Sequence, residues 1–112
     1  MKKFLVLYMA PLASFDKVVK GTPEEMKESM AAWEDWSKKN KEVLVDGGAP
    51  LGKTKRVSKD GVSDIRNMVG GYSLVQADSL EVAAKLFENH PHFKMLDDGY
   101  VEIIECVSMP GM

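Results

Sequence analysis

Cysteine and histidine are the scarcest reactive groups in this chain: one cysteine, Cys106, and two histidines, His90 and His92, among 112 residues. A single thiol excludes an internal disulfide and a cysteine-based zinc knuckle, and it fits a reducing compartment, so a cytoplasmic location is expected. Charge of one sign is also missing. The 15 Lys and Arg nearly balance the 17 Asp and Glu, leaving -2, and such a balance exerts no global pull toward nucleic acid or an acidic membrane surface. No run approaches the roughly 18 apolar residues of a membrane span. The sequence therefore calls for neither nucleic acid nor membrane as a partner, and for no cofactor and no metal.

What is present is an ordinary globular composition, 45% hydrophobic and 29% charged, long enough for one modest core. Met1-Lys2-Lys3 followed by FLVLYMAPLA imitates a signal peptide, but cleavage after Ala13 would place Pro11 where a small residue is wanted. A buried first strand is the better reading. From Lys3 to Met9, Phe4, Val6 and Tyr8 share one face and Leu5, Leu7 and Met9 the other, so the strand needs cover on both sides. Ala10 to Gly21 reads as a loop.

Thr22-Pro23-Glu24-Glu25 is a helix start, with Thr22 as cap, Pro23 in the first helical position and Glu25 completing a capping box. Met26, Met30, Trp33, Ser37 and Leu44 fall in one sector, with Trp36 on its shoulder, predicting an amphipathic helix to Lys41. Core packing is the favoured reading of that stripe, and an apolar pocket wall the rival. Val43 to Val45 reads as a short strand, Asp46-Gly47-Gly48 as a sharp turn, and Lys53 to Ser58 as one arm of a hairpin turning at Lys59-Asp60-Gly61. Val69 to Ala77 is the next strand. Asp78 is expected to cap a second helix burying Val82, Ala83, Leu86 and Phe87, which Pro91 ends. Val101 to Met109 closes the sheet.

This order predicts an α+β fold: a ferredoxin-like split βαβ domain over residues 1–112 with a four-stranded antiparallel sheet. Two helices cover one sheet face, so a second copy is expected over the other, making a homodimer. Tyr8, Tyr72, Gln76 and Glu105 are then candidates to point into a cavity.

Four features could carry chemistry. Gly47, Gly52, Lys53 and Thr54 satisfy G-x-x-x-x-G-K-[ST], the phosphate-cradling loop of nucleotide-binding enzymes. That loop works only with a helix behind it, and here a hairpin follows, so the glycines read as a turn. Its basic residues, Lys53, Lys55, Arg56 and Lys59, read as a solvated hairpin arm without aromatics to stack bases. His90 and His92 could act as acid, base or ligand at a helix exit, the blander reading being bonds to nearby backbone. Asp46 could be a base with raised pKa at a strand end, or a side chain stabilising its own turn. Cys106 reads as an inert buried thiol.

The Pro-Glu-Glu-Met helix with its tryptophans, Asp46-Gly47-Gly48 with Leu51, Gly70-Gly71-Tyr72, His90-Pro91-His92 and Val101-Glu102-Ile103 appear in an order that resembles the YCII-related family, in the branch of DGPF-type proteins. The resemblance runs from the Lys3–Met9 strand to the last strand and implies a dimeric α/β-barrel fold. Some YCII-like members carry a His–Asp pair with the histidine on the first helix. No histidine lies between Thr22 and Glu42 here, and Ser63-Asp64-Ile65-Arg66-Asn67 stands where the Asp-Gly-Pro-Phe motif would be. Of the matching positions, Asp46, Gly48, His90 and His92 are the ones to test.

The functional expectation is a small partly apolar molecule bound between the sheet and the long helix. Trp33, Met30 and Tyr72 would be apolar walls, with Gly48 beside them and His92 or Asp46 as polar contact. The alternatives are a cofactor-independent oxygenase or lyase acting on a small aromatic compound, with His90 or His92 as general base, and a purely structural interaction module.

Overall fold

The first strand, β1 (Lys2–Met9), sits in the middle of the sheet, as its two apolar faces require. A computed structural model describes residues 1–19 and 22–109. After β1 come α1 (Leu12–Val19), α2 (Pro23–Lys39), β2 (Leu44–Pro50), the hairpin β3 (Thr54–Ser58) and β4 (Gly61–Ile65), β5 (Val69–Ala77), α3 (Leu80–Lys85), α4 (His92–Met95) and β6 (Tyr100–Glu105). The main sheet is four-stranded, in the order β2-β5-β1-β6, and its paired strands run antiparallel. With β3 and β4 set aside as a separate two-stranded sheet, this is the ferredoxin-like topology expected.

Register separates the two faces. Phe4 lies opposite Val75, and Val6 opposite Ser73. With Tyr8, Ala77, Ala83 and Phe87, the apolar residues of this face form the core cluster. Burying each large side chain of this set contributes about 1.5–3 kcal/mol. On the other face Leu5 pairs with Leu74 and Ile104, and Leu7 with Tyr72 and Glu102. Leu5, Leu7, Tyr72 and Leu74 are only half-buried there.

Four boundaries differ from the sequence expectation. The loop expected from Ala10 to Gly21 contains α1, which starts directly after Pro11; Lys20 and Gly21 lie outside the described residues. Leu12, Phe15 and Val19 have the spacing of one helical face. Asp46-Gly47-Gly48 does not reverse the chain: Asp46 Oδ1 accepts from the Gly48 N–H at 2.8 Å, and β2 runs on to Pro50 with two register breaks. The result is a bulged edge strand rather than a turn. Ser79, not Asp78, caps α3, its Oγ accepting from the Val82 N–H at 3.2 Å, and Val82 is exposed. The last strand ends at Glu105, and Cys106 is exposed rather than buried.

The long helix starts where Thr22 predicts, its Oγ1 accepting from the Glu25 N–H at 3.1 Å. It stops at Asn40, whose Nδ2 donates to the Trp36 carbonyl at 2.9 Å. Its apolar stripe is divided. Trp33 and Trp36 pack on the core, while Met26 and Met30 are exposed. Core packing accounts for the tryptophans and not for the methionines.

Candidate functional site

A wide cleft of about 2110 Å³ opens between the helix face of the sheet, α2, α1, the short α4 and the base of the β3–β4 hairpin. Of the residues singled out from the sequence, Met30, Trp33, Gly48, Tyr72 and His92 line it. Asp46 does not; its side chain serves the bulge at Gly48. His90 lies behind the cleft wall, with no exposed surface. Tyr72 borders the cleft, but register places its side chain with Leu7 on the sheet face away from Tyr8.

The two histidines are brought together by the chain reversal after α3. Asn89 adopts a left-handed φ of 61°, and Pro91 then opens α4 rather than merely ending the previous helix. This lets the His92 backbone N–H donate to His90 Nδ1 at 3.0 Å. In the neutral ring the proton of His90 therefore sits on Nε2, which is buried without a hydrogen-bond partner among the described residues. Trp33, Trp36, Tyr8 and Phe87 enclose that ring at centroid distances of 4.5, 4.6, 5.1 and 5.5 Å. Burial, reinforced by the nearby His92, pulls the His90 pKa down from 6.5 to about 4.

His92 is held differently. Its Nε2 lies 2.9 Å from the Met9 carbonyl oxygen, and since a carbonyl only accepts, Nε2 carries the proton and Nδ1 is the bare nitrogen of the neutral ring. Gly99 makes room for this arrangement: a Cβ there would lie 2.9 Å from His92 Nε2 and 3.0 Å from the Leu96 carbonyl oxygen.

Around His92 the cleft is aromatic and closely bonded. Trp33 meets Tyr8 edge-on at 4.6 Å, and Trp33 Nε1–H donates to Met95 Sδ at 3.3 Å. Ser73 Oγ donates to the Gly47 carbonyl at 3.1 Å, so its one proton is used and the Tyr8 hydroxyl, 2.9 Å away, donates to Ser73. Burial pushes the Tyr8 phenol up to about 12. From α1, Phe15 lies over β5 where Gly70 has no side chain; a Cβ there would stand 2.5 Å from the ring. Ser14, also from α1 and buried, donates to Asp98 Oδ2 at 2.5 Å.

Ser14, Phe15, Met95 and Asp98 are cleft residues that the sequence does not single out, and Tyr8, a candidate to point into a cavity, lines the cleft as well. Tyr8 had a signal in its alternation on β1. Ser14 and Asp98 had none, because they stand 84 positions apart and meet only through tertiary packing. Among the described residues no group of three or more His, Cys, Asp or Glu could hold a metal ion. Among those residues no helix is long and apolar enough to cross a membrane.

At the hairpin side of the cleft, Lys55 pairs with Asp64 at 2.6 Å and Arg66 with Asp16 at 2.9 Å. Both pairs are exposed and contribute at most about 1 kcal/mol each. Thr54 opens β3, so the glycine-lysine-threonine signature leads into a strand, and no helix stands behind it to hold a phosphate.

No protein-family model matches the chain, and no curated protein matches it. Among solved structures the chain is similar to 5-chloro-2-hydroxyhydroquinone dehydrochlorinase (TftG) from Burkholderia phenoliruptrix AC1100, in complex with 2,5-dihydroxybenzoquinone. The two share 19% identity over 89% of this chain and 90% of that one, with a TM-score of 0.52. At that identity the likeness is one of fold. It agrees with the expected α+β fold class and marks a distant structural relationship.

Proposed function

We propose that this protein binds a small, partly apolar aromatic molecule in the cleft between the sheet and α2. The observation that carries this reading is the convergence of Trp33, Tyr8, Met30 and His92 on one concave surface, apolar walls beside a few polar groups. The TftG structure holds a single six-membered ring compound, 2,5-dihydroxybenzoquinone, which fits a ligand of that size. Calorimetric titration with phenol tests the reading. Trp33→Ala is expected to weaken phenol binding by about tenfold or more, since it removes an aromatic wall. Unchanged affinity in a folded variant would remove the pocket from consideration.

A second copy over the open sheet face belongs to the same proposal. Leu5, Leu7, Met9 and Leu74 are only half-buried there, and Ile104 is exposed. Leu74→Lys is expected to convert a dimer to a monomer in sedimentation, because a charge at a dry apolar contact is costly. A wild-type monomer would overturn this part.

The second reading is an enzyme with His92 as general base, favoured by the Met9 carbonyl that fixes its tautomer. Here the clearest readout is chloride release from 5-chloro-2-hydroxyhydroquinone, the compound in the neighbour's name. His92→Gln should abolish it in a variant that stays folded by thermal melting, the Gln amide still being able to donate to the Met9 carbonyl. His90 suits the role less, being sealed from the cleft and engaged by the His92 backbone.

A further inference from the structure

The polar groups at the aromatic end of the cleft show an imbalance between donors and acceptors. Four side-chain donors there are already used within the protein. Trp33 gives its N–H to Met95, Tyr8 its O–H to Ser73, Ser14 its O–H to Asp98, and His92 its Nε2–H to the Met9 carbonyl. What these residues leave over are acceptors. Asp98 keeps its second carboxylate oxygen and Ser14 keeps the lone pairs of its hydroxyl. His92 Nδ1 has no partner among the described residues and is not one of the buried unpartnered atoms, and the residue lines the cleft. The ammonium groups of Lys53 and Lys94, also on the cleft, belong to exposed residues without a side-chain partner among the described residues, whereas Asp98, exposed as well, is fixed by the buried Ser14.

We infer that this end of the cleft selects an aromatic hydrogen-bond donor, a ring bearing hydroxyl groups, with the Ser14–Asp98 pair and His92 Nδ1 accepting from it. The inference rests on the cleft being a binding site for aromatic molecules and names which ones. A ring carrying only ether, carbonyl or carboxylate oxygens offers acceptors to acceptors, and placing it there leaves the hydrogen-bonding capacity of both sides unmet. Ser14 and Asp98 are the specificity-determining pair. Their bond also ties α1 to the loop that follows α4, so the carboxylate is held in place before a ligand arrives.

The probes are resorcinol and its dimethyl ether, which share a ring and differ in donors, titrated by calorimetry at about pH 8. Resorcinol is expected to bind at least about tenfold more tightly than the ether, the range for a hydrogen bond to a charged acceptor. Asp98→Asn retains an oxygen for Ser14 but replaces the free acceptor by an amide, and should reduce the preference to about threefold or less. Phenol affinity follows Trp33 and separates the two levels. If phenol, resorcinol and the ether all bind with similar affinity, the binding site stands and the donor selection is overturned. A tenfold preference that survives in Asp98→Asn overturns the role of the Ser14–Asp98 pair. Binding of none of the three overturns both the selection and the site.

Discussion

Gly48→Ala is expected to destabilise the protein by about 3 kcal/mol or more, through the two penalties of a left-handed backbone and a filled space. Gly48 has φ +72°, and a Cβ placed on it would lie 1.7 Å from the Tyr72 carbonyl oxygen and 2.6 Å from its carbonyl carbon. Those are backbone atoms of β5, the strand to which β2 pairs, so no side-chain rotation relieves the contact. The bulge must open, and with it the Asp46–Gly48 bond and the β2–β5 ladder beyond it. Thermal melting gives the readout, with a fall in midpoint of about 10 °C or more for a domain of this size. Gly52→Ala is the control. Nothing lies within 4 Å of a Cβ there and its φ is not positive, so a change of no more than about 0.5 kcal/mol is expected. Equal midpoints for the two variants would mean that the bulge is not the conformation in solution.

The second large effect is acid lability centred on His90. Its folded pKa is pulled from 6.5 to about 4, so between those values the unfolded chain takes up a proton that the folded chain refuses. Stability from this group is fully present above about pH 6.5 and is lost as pH falls through about 4, a total of about 3 kcal/mol. The groups facing the ring are His92, whose charge would add to the penalty, and the uncharged Trp33, Trp36, Tyr8 and Phe87. Carboxylates elsewhere also titrate in acid, so the measurement is a difference. Denaturant unfolding of wild type and His90→Phe across this range should give curves whose separation is constant above about pH 6.5. The separation then shifts by about 3 kcal/mol against the wild type by about pH 4. Parallel curves throughout would mean that the imidazole finds a proton acceptor in the folded state.

How far the sequence could be read depended on whether its signals were local. Alternation along Lys3–Met9 and Val69–Ala77, the Thr22-Pro23 start and the hairpin at Lys59–Gly61 are local, and each produced its element. Pro11 and Gly21 make the α1 segment read as a loop, although Leu12, Phe15 and Val19 carry helical spacing after Pro11. Gly47-Gly48 was read as a turn because a glycine pair usually reverses a chain. The register breaks of β2 and the proximity of the Tyr72 carbonyl show that it makes a bulge. Trp33 and His92 were legible as site candidates from residue type, and both line the cleft. The Ser14–Asp98 pair and the donor accounting around it were not, because which proton goes where is settled by contacts between distant segments.

The β3–β4 hairpin pairs only with itself, and most of its residues are exposed. Two strands without a face to bury are marginal on their own. The backbone amides of residues 54–65 should therefore exchange with deuterium through local opening, at rates indifferent to the stability of the main sheet. Those of Phe4, Val6 and Val75 should exchange only when the whole sheet opens. Gly48→Ala would accelerate the second set and leave the first where it was, so one exchange experiment would resolve the chain into an independently fraying arm and a cooperative unit.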